Sequence, residues 1–267
     1  MPPRSLWSGA ISFGLVNVPV KMVTAVSQKD VRFNQLHVKD NSRIQQKRFC
    51  AEEGIEIPFE EIVKGYEVRP GQYVIIEPEE LDGLDPEATH TIDILEFVDL
   101  DQIDPVYFDH PYYLVPDRRA EKPYALLAQS LEKANKVGIA KFVMRTKEYL
   151  AAVRSSRGVL VLSTLLYGDE VIALETLEVP GLETELSERE LKMAEALIES
   201  LTEKFDPERH QDTYREKVLD LIARKDDGQE IVVQAEAEAP AKVEDLMAAL
   251  EASVQAARAK RAAADEA

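Results

Sequence analysis

The stretch Lys133–Gly158, KANKVGIAKFVMRTKEYLAAVRSSRG, sets seven basic residues (Lys133, Lys136, Lys141, Arg145, Lys147, Arg154, Arg157) against one acid, Glu148. That is +6 inside a chain whose total charge is -18. Over Ile139–Thr146, Ala140, Phe142 and Met144 share one face of a period-two pattern, while Lys141, Arg145 and then Lys147 share the other. Such alternation predicts a half-buried strand with a basic outer face. Tyr149–Arg154 and Val159–Leu166 predict a hairpin turned by Ser155-Ser156-Arg157-Gly158. Upstream, Pro123–Lys136 predicts a helix with Pro in its first turn, Gly138 as its C-terminal cap, and an apolar stripe of Tyr124, Leu127, Leu131 and Ala134. Helix, strand and hairpin are expected to join into one positive face. That face suits phosphate contact, which needs charge and reach more than base-reading side chains. The competing reading is a set of ordinary solvated faces.

Working outward, residues 1–50 repeat the bias, with eight basic residues against Asp30 and Asp40, again +6. The acids are concentrated elsewhere: residues 51–132 sum to -16 and residues 159–267 to -14. Ala10–Val20 predicts a strand and a Pro-marked bend, with Gly14 allowing a bulge or close approach. Trp7 is assigned to the core. Val31–His37 and Arg43–Phe49 predict a basic hairpin across Lys39-Asp40-Asn41-Ser42, with Arg43 and Lys47 on one face. Pro58–Val63 suits a short helix and Pro78–Leu84 a helical turn. Gln72–Ile76, Thr91–Val98, Tyr112–Val115 and Val171–Leu177 read as strands.

Past residue 185 strand patterns give way to helices. Ser187 and Glu190 form a capping box ahead of the stripe Leu191, Ala194, Leu197, Ile198 and Leu201. Asp206-Pro207 opens a second helix packed through Tyr214, Val218, Leu221 and Ile222, with Gly228 closing the segment. Residues 234–242, QAEAEAPAK, have linker composition. After them Val243, Leu246, Met247, Leu250 and Val254 recur at helical spacing. This stripe is open to a partner or to its own domain, and a partner is the expectation.

Several function classes are excluded or unsupported. No apolar run reaches the roughly 18 residues of a membrane span, and MPPRSLWSGAISFG lacks the features of a secretory signal. The single cysteine, Cys50, permits no intrachain disulfide and no multi-cysteine zinc ribbon, and it fits a reducing, cytoplasmic setting. Four scattered histidines (His37, His90, His110, His210) show no metal-ligand spacing, so no metal and no cofactor are expected. Asp99–Asp104 lacks the glycine and terminal glutamate of a calcium loop. Nucleotide-binding and hydrolase motifs are absent as well.

The longer motifs resemble a known family, the bacterial Ku proteins of double-strand-break repair. The likeness rests on Trp7-Ser8-Gly9-Ala10-Ile11-Ser12-Phe13-Gly14-Leu15-Val16 with Val18-Pro19-Val20, and on Ile62-Val63-Lys64-Gly65-Tyr66-Glu67. It extends to Lys136–Val143, Arg145-Thr146, Phe205-Asp206-Pro207 and Asp212-Thr213-Tyr214-Arg215. The resemblance implies an α+β fold, a Ku-like β-barrel core with helical elements and a helical C-terminal region. It also implies a ring-forming homodimer threaded by a double-stranded DNA end, non-catalytic, recruiting the ATP-dependent repair ligase, ligase D, in non-homologous end joining. On that reading residues 1–185 form the barrel core and DNA-encircling bridge, 186–233 a helical arm, and 234–267 a linker and tail for ligase docking. The location implied is cytoplasmic, at the nucleoid.

From charge and strand facing, Lys141, Arg145, Lys147, Arg154 and Arg157, with Lys133 and Lys136, are assigned to DNA phosphates, followed by Arg43, Lys47 and Arg48. The stripe Val243, Leu246, Met247, Leu250 and Val254 is assigned to the ligase. Only Arg258, Lys260 and Arg261 stand near the end, where some relatives carry a long Lys-rich extension. An alternative function is a lyase acting at abasic sites through a Schiff base on Lys141 or Lys147, which requires a lysine of lowered pKa. A general protein-interaction module is a third class, and the segregated basic blocks argue against it.

Overall fold

The structure is a computed structural model that describes residues 4–77, 80–81, 90–145, 147–180, 184–228 and 246–265. The chain divides into two compact units, one of residues 1–29 and 34–176, the other of residues 30–33 and 177–267. The predicted linker, Val243 and most of the turn expected over Pro78–Leu84 lie outside the described residues.

The first unit is built on a closed barrel. Its strands are β1 (Ser5–Phe13), β2 (Val16–Thr24), β5 (Thr91–Asp99), β6 (Phe108–Pro116), β7 (Lys136–Met144), β8 (Lys147–Ser156) and β9 (Val159–Leu165). A separate ribbon pairs β3 (Lys64–Arg69) with β4 (Gln72–Ile76). Around the barrel the order is β1-β2-β6-β9-β8-β7-β5. Every neighbouring pair is antiparallel except β1 with β5, whose short parallel ladder Ala10↔Thr91 to Ser12↔Asp93 closes the circle.

Gly9 makes that closure possible. The amide of Ala10 donates to the His90 carbonyl at 2.9 Å, and a Cβ on Gly9 would lie 2.0 Å from that same oxygen and 2.3 Å from the Trp7 ring. Glycine is the residue that lets two backbones and an indole meet there.

The predicted bend at Pro19 is instead a hairpin. Phe13 pairs with Val16 across Gly14-Leu15, and Gly14 takes φ 61°, the conformation a two-residue hairpin turn requires of its first residue. Pro19 sits inside β2, one residue before the ladder to β6 begins at Val20 and Pro116, so its missing N–H leaves no bond unmade on that side.

Inward-facing Ile11, Val18, Val20, Met22, Ile92, Leu114, Phe142, Val153, Leu160 and Leu162 fill the barrel. At one end it is closed by helix α1 (Glu121–Ala134) through Tyr124, Leu127, Ala128 and Leu131. The Tyr124 hydroxyl donates to the Leu114 carbonyl (2.7 Å) and accepts from the Leu160 amide (2.8 Å), tying helix to barrel. Burial pushes the phenol's pKa up, so it stays a donor. Trp7 packs towards the other end, its indole donating to the Val143 carbonyl at 2.9 Å. The cap of α1 is Asn135 in the left-handed conformation (φ 51°), not Gly138. Asn tolerates that region, and Gly138 instead lies within β7 against Ile94 and Phe97. A smaller outer core of Val137, Ala152 and Leu165 is covered by Ile103, Tyr107 and Phe108.

Two further expectations change. No ladder forms over Val31–His37 and Arg43–Phe49; only the isolated bridges Leu36↔Arg43 and Phe49↔Glu56 occur. The segment folds as two turns of identical build. In the first, His37 N–H donates to Ser42 O (2.9 Å) and Asn41 N–H to His37 O (2.8 Å); in the second, Cys50 N–H donates to Ile55 O (2.9 Å) and Gly54 N–H to Cys50 O (2.9 Å). Asn41 (φ 55°) and Gly54 (φ 68°) occupy the same left-handed position in each. Val171–Leu177 holds a short 3-10 turn, Leu174–Thr176, in place of a strand.

In the second unit α2 (Glu188–Leu201) starts from the expected capping box, Ser187 with Glu190. Asp206-Pro207 opens only a 3-10 turn, Pro207–Arg209, and α3 (Thr213–Asp226) is capped by Asp212. α4 (Leu246–Asp265) packs against α2, with Val254 buried and Arg189 reaching Glu251 at 3.6 Å.

Replacing Tyr124 by Phe strands the Leu160 N–H and the Leu114 carbonyl. Urea unfolding should show a loss of about 1–3 kcal/mol with an unchanged denaturant slope. An unchanged midpoint would mean that the two groups find other partners.

Candidate nucleic-acid interface

The barrel breaks the basic stretch in two. β8 is ten residues long, so it separates the turns at its ends by about 30 Å at 3.2–3.4 Å per residue. Arg145 and Lys147 lie at the β7–β8 turn, whereas Arg157 lies at the β8–β9 turn near Lys133 and Lys136 at the end closed by α1. The expected single connected face therefore does not exist. A strand that is basic along its sequence carries its two tips to opposite ends of the barrel.

The individual side chains differ in availability. Lys141 Nζ donates to Glu148 Oε1 at 2.8 Å across neighbouring strands. That hydrogen bond, followed by the Glu148 charge, raises the lysine's pKa. Lys136 is similarly paired with Asp99 (2.7 Å) and Lys47 with Glu56 (2.7 Å). Lys147 lies 5.3 Å from the centroid of the Tyr149 ring, and Arg48 the same distance from that of Phe59. Arg154 is half-buried in the wall of a cavity of about 690 Å³, with Ile103, Phe108, Pro111 and Asp101 among its neighbours, on the outer face of the barrel. Arg43, Lys133, Arg145 and Arg157 are exposed and have no ion pair among the described residues.

Sequence reasoning passed over Lys21, Arg118, Arg119 and Lys122. Arg118, Arg119 and Lys122 sit in the acidic block 51–132, whose summed charge hid them, and the Arg118-Arg119 dipeptide just before α1 was the signal available; Lys21 stands in the basic block 1–50, outside the hairpin singled out there. Lys21 binds Asp117 at 3.1 Å. The described end of the stripe assigned to a partner lies against α2: Leu250 is partly buried and Val254 buried, beside Met193 and Ala196.

A Schiff-base lysine needs its neutral form at working pH, and Lys141 is shifted in the opposite sense. No group of three or more His, Cys, Asp or Glu side chains is placed to hold a metal ion among the described residues. Cys50 faces the backbone N–H groups of Glu53 and then Glu52, which lower its thiol pKa. His37 pairs with Asp40 at 3.1 Å.

A closed barrel of this order, plugged by one helix and followed by a helical unit, defines a barrel class with a known family model. The model described as the Ku70/Ku80 beta-barrel domain matches residues 12–193. The chain belongs to the Ku family. It is similar to the non-homologous end joining protein Ku of Anaeromyxobacter sp. (strain K), 53% identical over 96% of this chain and 86% of the relative. The protein of the same name from Heliobacterium modesticaldum is 46% identical over 94% and 91%, and that of Koribacter versatilis 42% identical over 94% and 86%.

Incubation with an abasic-site duplex and borohydride should give no covalent protein–DNA product. A trapped adduct lost in Lys141→Met would overturn the reading of that lysine as a fixed ion-pair partner.

Proposed function

We propose that this protein is a non-catalytic scaffold that binds the ends of double-stranded DNA without sequence preference, as a ring-shaped homodimer, in the non-homologous end joining of double-strand breaks. The observation that carries this is the likeness, at 53% identity over nearly the full length, to a protein named for that role. Exposed arginines on turns supply contact to phosphates, a sequence-blind interaction. Homodimer formation is supported by large apolar side chains left at the surface in pairs: Tyr66 and Val74, opposite each other on the β3–β4 ribbon, and Ile198 and Leu201, one turn apart on α2. Single exposed apolar residues are ordinary, whereas adjoining ones suit a covering surface. An acidic exterior fits a ring whose bore alone attracts the duplex.

On this reading residues 1–185 make the core and bridge, 186–233 the arm, and 234–267 the segment that recruits ligase D. Engagement of the ligase through Val243, Leu246, Met247, Leu250 and Val254 then requires α4 to leave α2. The contact is suited to that, since Val254 is the one residue of α4 buried among the described side chains. The site of action is the cytoplasmic nucleoid. No helix among the described residues is long and apolar enough to cross a membrane.

The test compares a linear duplex of about forty base pairs (three to four turns at 10–10.5 base pairs each) with the same duplex closed at both ends by bulky blocks. Binding should be lost on the blocked duplex and should weaken steeply with salt on the open one. Equal binding to both would mean side-on attachment and would end the ring reading.

A further inference from the structure

Among the described residues, three of the six non-glycine residues with positive φ are arginines: Arg119 (φ 73°), Arg145 (φ 62°) and Arg157 (φ 54°). The left-handed region is disfavoured for any residue with a Cβ, and Gly or Asn fills it at less cost. An arginine held there places its guanidinium at the tip of a tight turn, where strain accompanies an exposed functional group more often than by accident.

Two of the three lie at the same end of the barrel. The β6–β9 ladder ends at Leu114↔Leu160; there the chain leaves β6 towards Arg118 and Arg119, and Arg157 sits in the turn that enters β9. Adjacent strands lie about 5 Å apart. Asp117 itself is engaged: its amide donates to the Pro19 carbonyl (3.0 Å), and its carboxylate accepts from the Arg118 amide (2.9 Å) and from Lys21 (3.1 Å). The Arg118 amide first, then Lys21, holds that carboxyl below its usual pKa. Arg118, Arg119 and Arg157 are left exposed on the same rim, none with an ion pair among the described residues.

The acids around this rim are largely engaged. Asp99 binds Lys136, and Glu132 accepts from Ser155; Glu121 remains exposed, next to Lys122. At the opposite end the balance is poorer. The charges of Arg145 and Asp109 both act on the Tyr112 hydroxyl, Lys147 lies over Tyr149, and Glu148 is held by Lys141 between the strands.

We propose that the rim of the barrel at the α1 end, where the turns carrying Arg118, Arg119 and Arg157 leave adjacent strands, is the principal phosphate-binding surface of this protein, taking the backbone of duplex DNA. The planar guanidinium fork matches phosphate oxygens in pairs, and three such groups on one rim make a clamp that lysines do not reproduce. The assignment rests on the DNA-end reading above, and moves its main contact away from the Arg145 end.

The left-handed backbone supplies a clean test, because glycine suits it better than arginine does. The double variant Arg119→Gly, Arg157→Gly removes two cations while relaxing the turns, so its melting temperature should be equal to or above that of the unaltered protein. Binding to an open-ended duplex, followed by anisotropy across a salt series, should weaken roughly tenfold at physiological salt. The slope of log affinity against log salt should fall by about 2, close to 0.9 for each lost phosphate contact. Arg145→Gly should show the smaller loss. Unchanged binding by the double variant, or an equal or larger loss in Arg145→Gly, would overturn the assignment of this rim. Failure of the unaltered protein to prefer open ends would instead bring down the functional reading, and the clamp with it.

Discussion

Barrel closure depends on one contact, the meeting of β1 and β5 at Gly9 and His90. Seven strands with six antiparallel pairings make only an open, curled sheet; the three-residue parallel seam makes them a barrel. Closure removes both sheet edges and gives Ile11, Ile92 and Phe142 a common interior. It also fixes where each strand ends, and with that the turns on which Arg119, Arg145 and Arg157 stand exposed. A methyl group at position 9 would collide with a carbonyl oxygen and an indole that have nowhere to go. The permissiveness of one glycine thus reaches, through the barrel, to arginines on the far turns.

Closure also reorganises charge. In the sequence Lys133–Gly158 is one basic block; in space it is two rims and a flank, with Lys136 and Lys141 neutralised by acids from neighbouring strands. Cross-strand pairing recruits Asp99 and Glu148 to residues that linear counting left free. Conversely, the acidic block 51–132 contributes Arg118 and Arg119, which the turn after β6 delivers to the same end of the barrel as Arg157. Summed charge along a chain describes solubility and long-range attraction. Contact with a polyanion is decided by which cations remain unpaired once the strands have found their register.

Much of the fold was legible where side chains repeat with a clear period. Ala140, Phe142 and Met144 gave β7, the Tyr124–Leu131 stripe gave α1, and Ser187 with Glu190 gave the start of α2. The failures share a cause. Arg43–Phe49 has the alternation of a strand but no partner strand to complete a ladder, so local turns win. Pro19 suggested a break, yet it pairs with Ala10 of β1 and stands just before the ladder to β6, where its missing N–H is not needed. Asn135 displaced Gly138 as cap because the left-handed turn came three residues earlier than the nearest glycine. Of the candidate site, the residue types were legible and their grouping was not, since grouping depends on barrel register and on which acids sit across the strands. The stripe of α4 was visible as apolar; that α2 would cover it depended on contacts beyond any single helix.

The paired turns at His37–Ser42 and Cys50–Ile55 bear on how this chain folds. Each is closed by hydrogen bonds spanning four or five residues, so each forms at the cost of a very short loop, on the fast timescale of local structure. The barrel is the opposite case: its seam joins Ala10 to Thr91, and its plug waits on strands separated by long connections. Contacts of that range make folding slow. The insertion between β2 and β5 can therefore acquire its shape before the barrel around it has closed. A segment that would otherwise lengthen the search for the seam is partly shortened by its own two knots of local order.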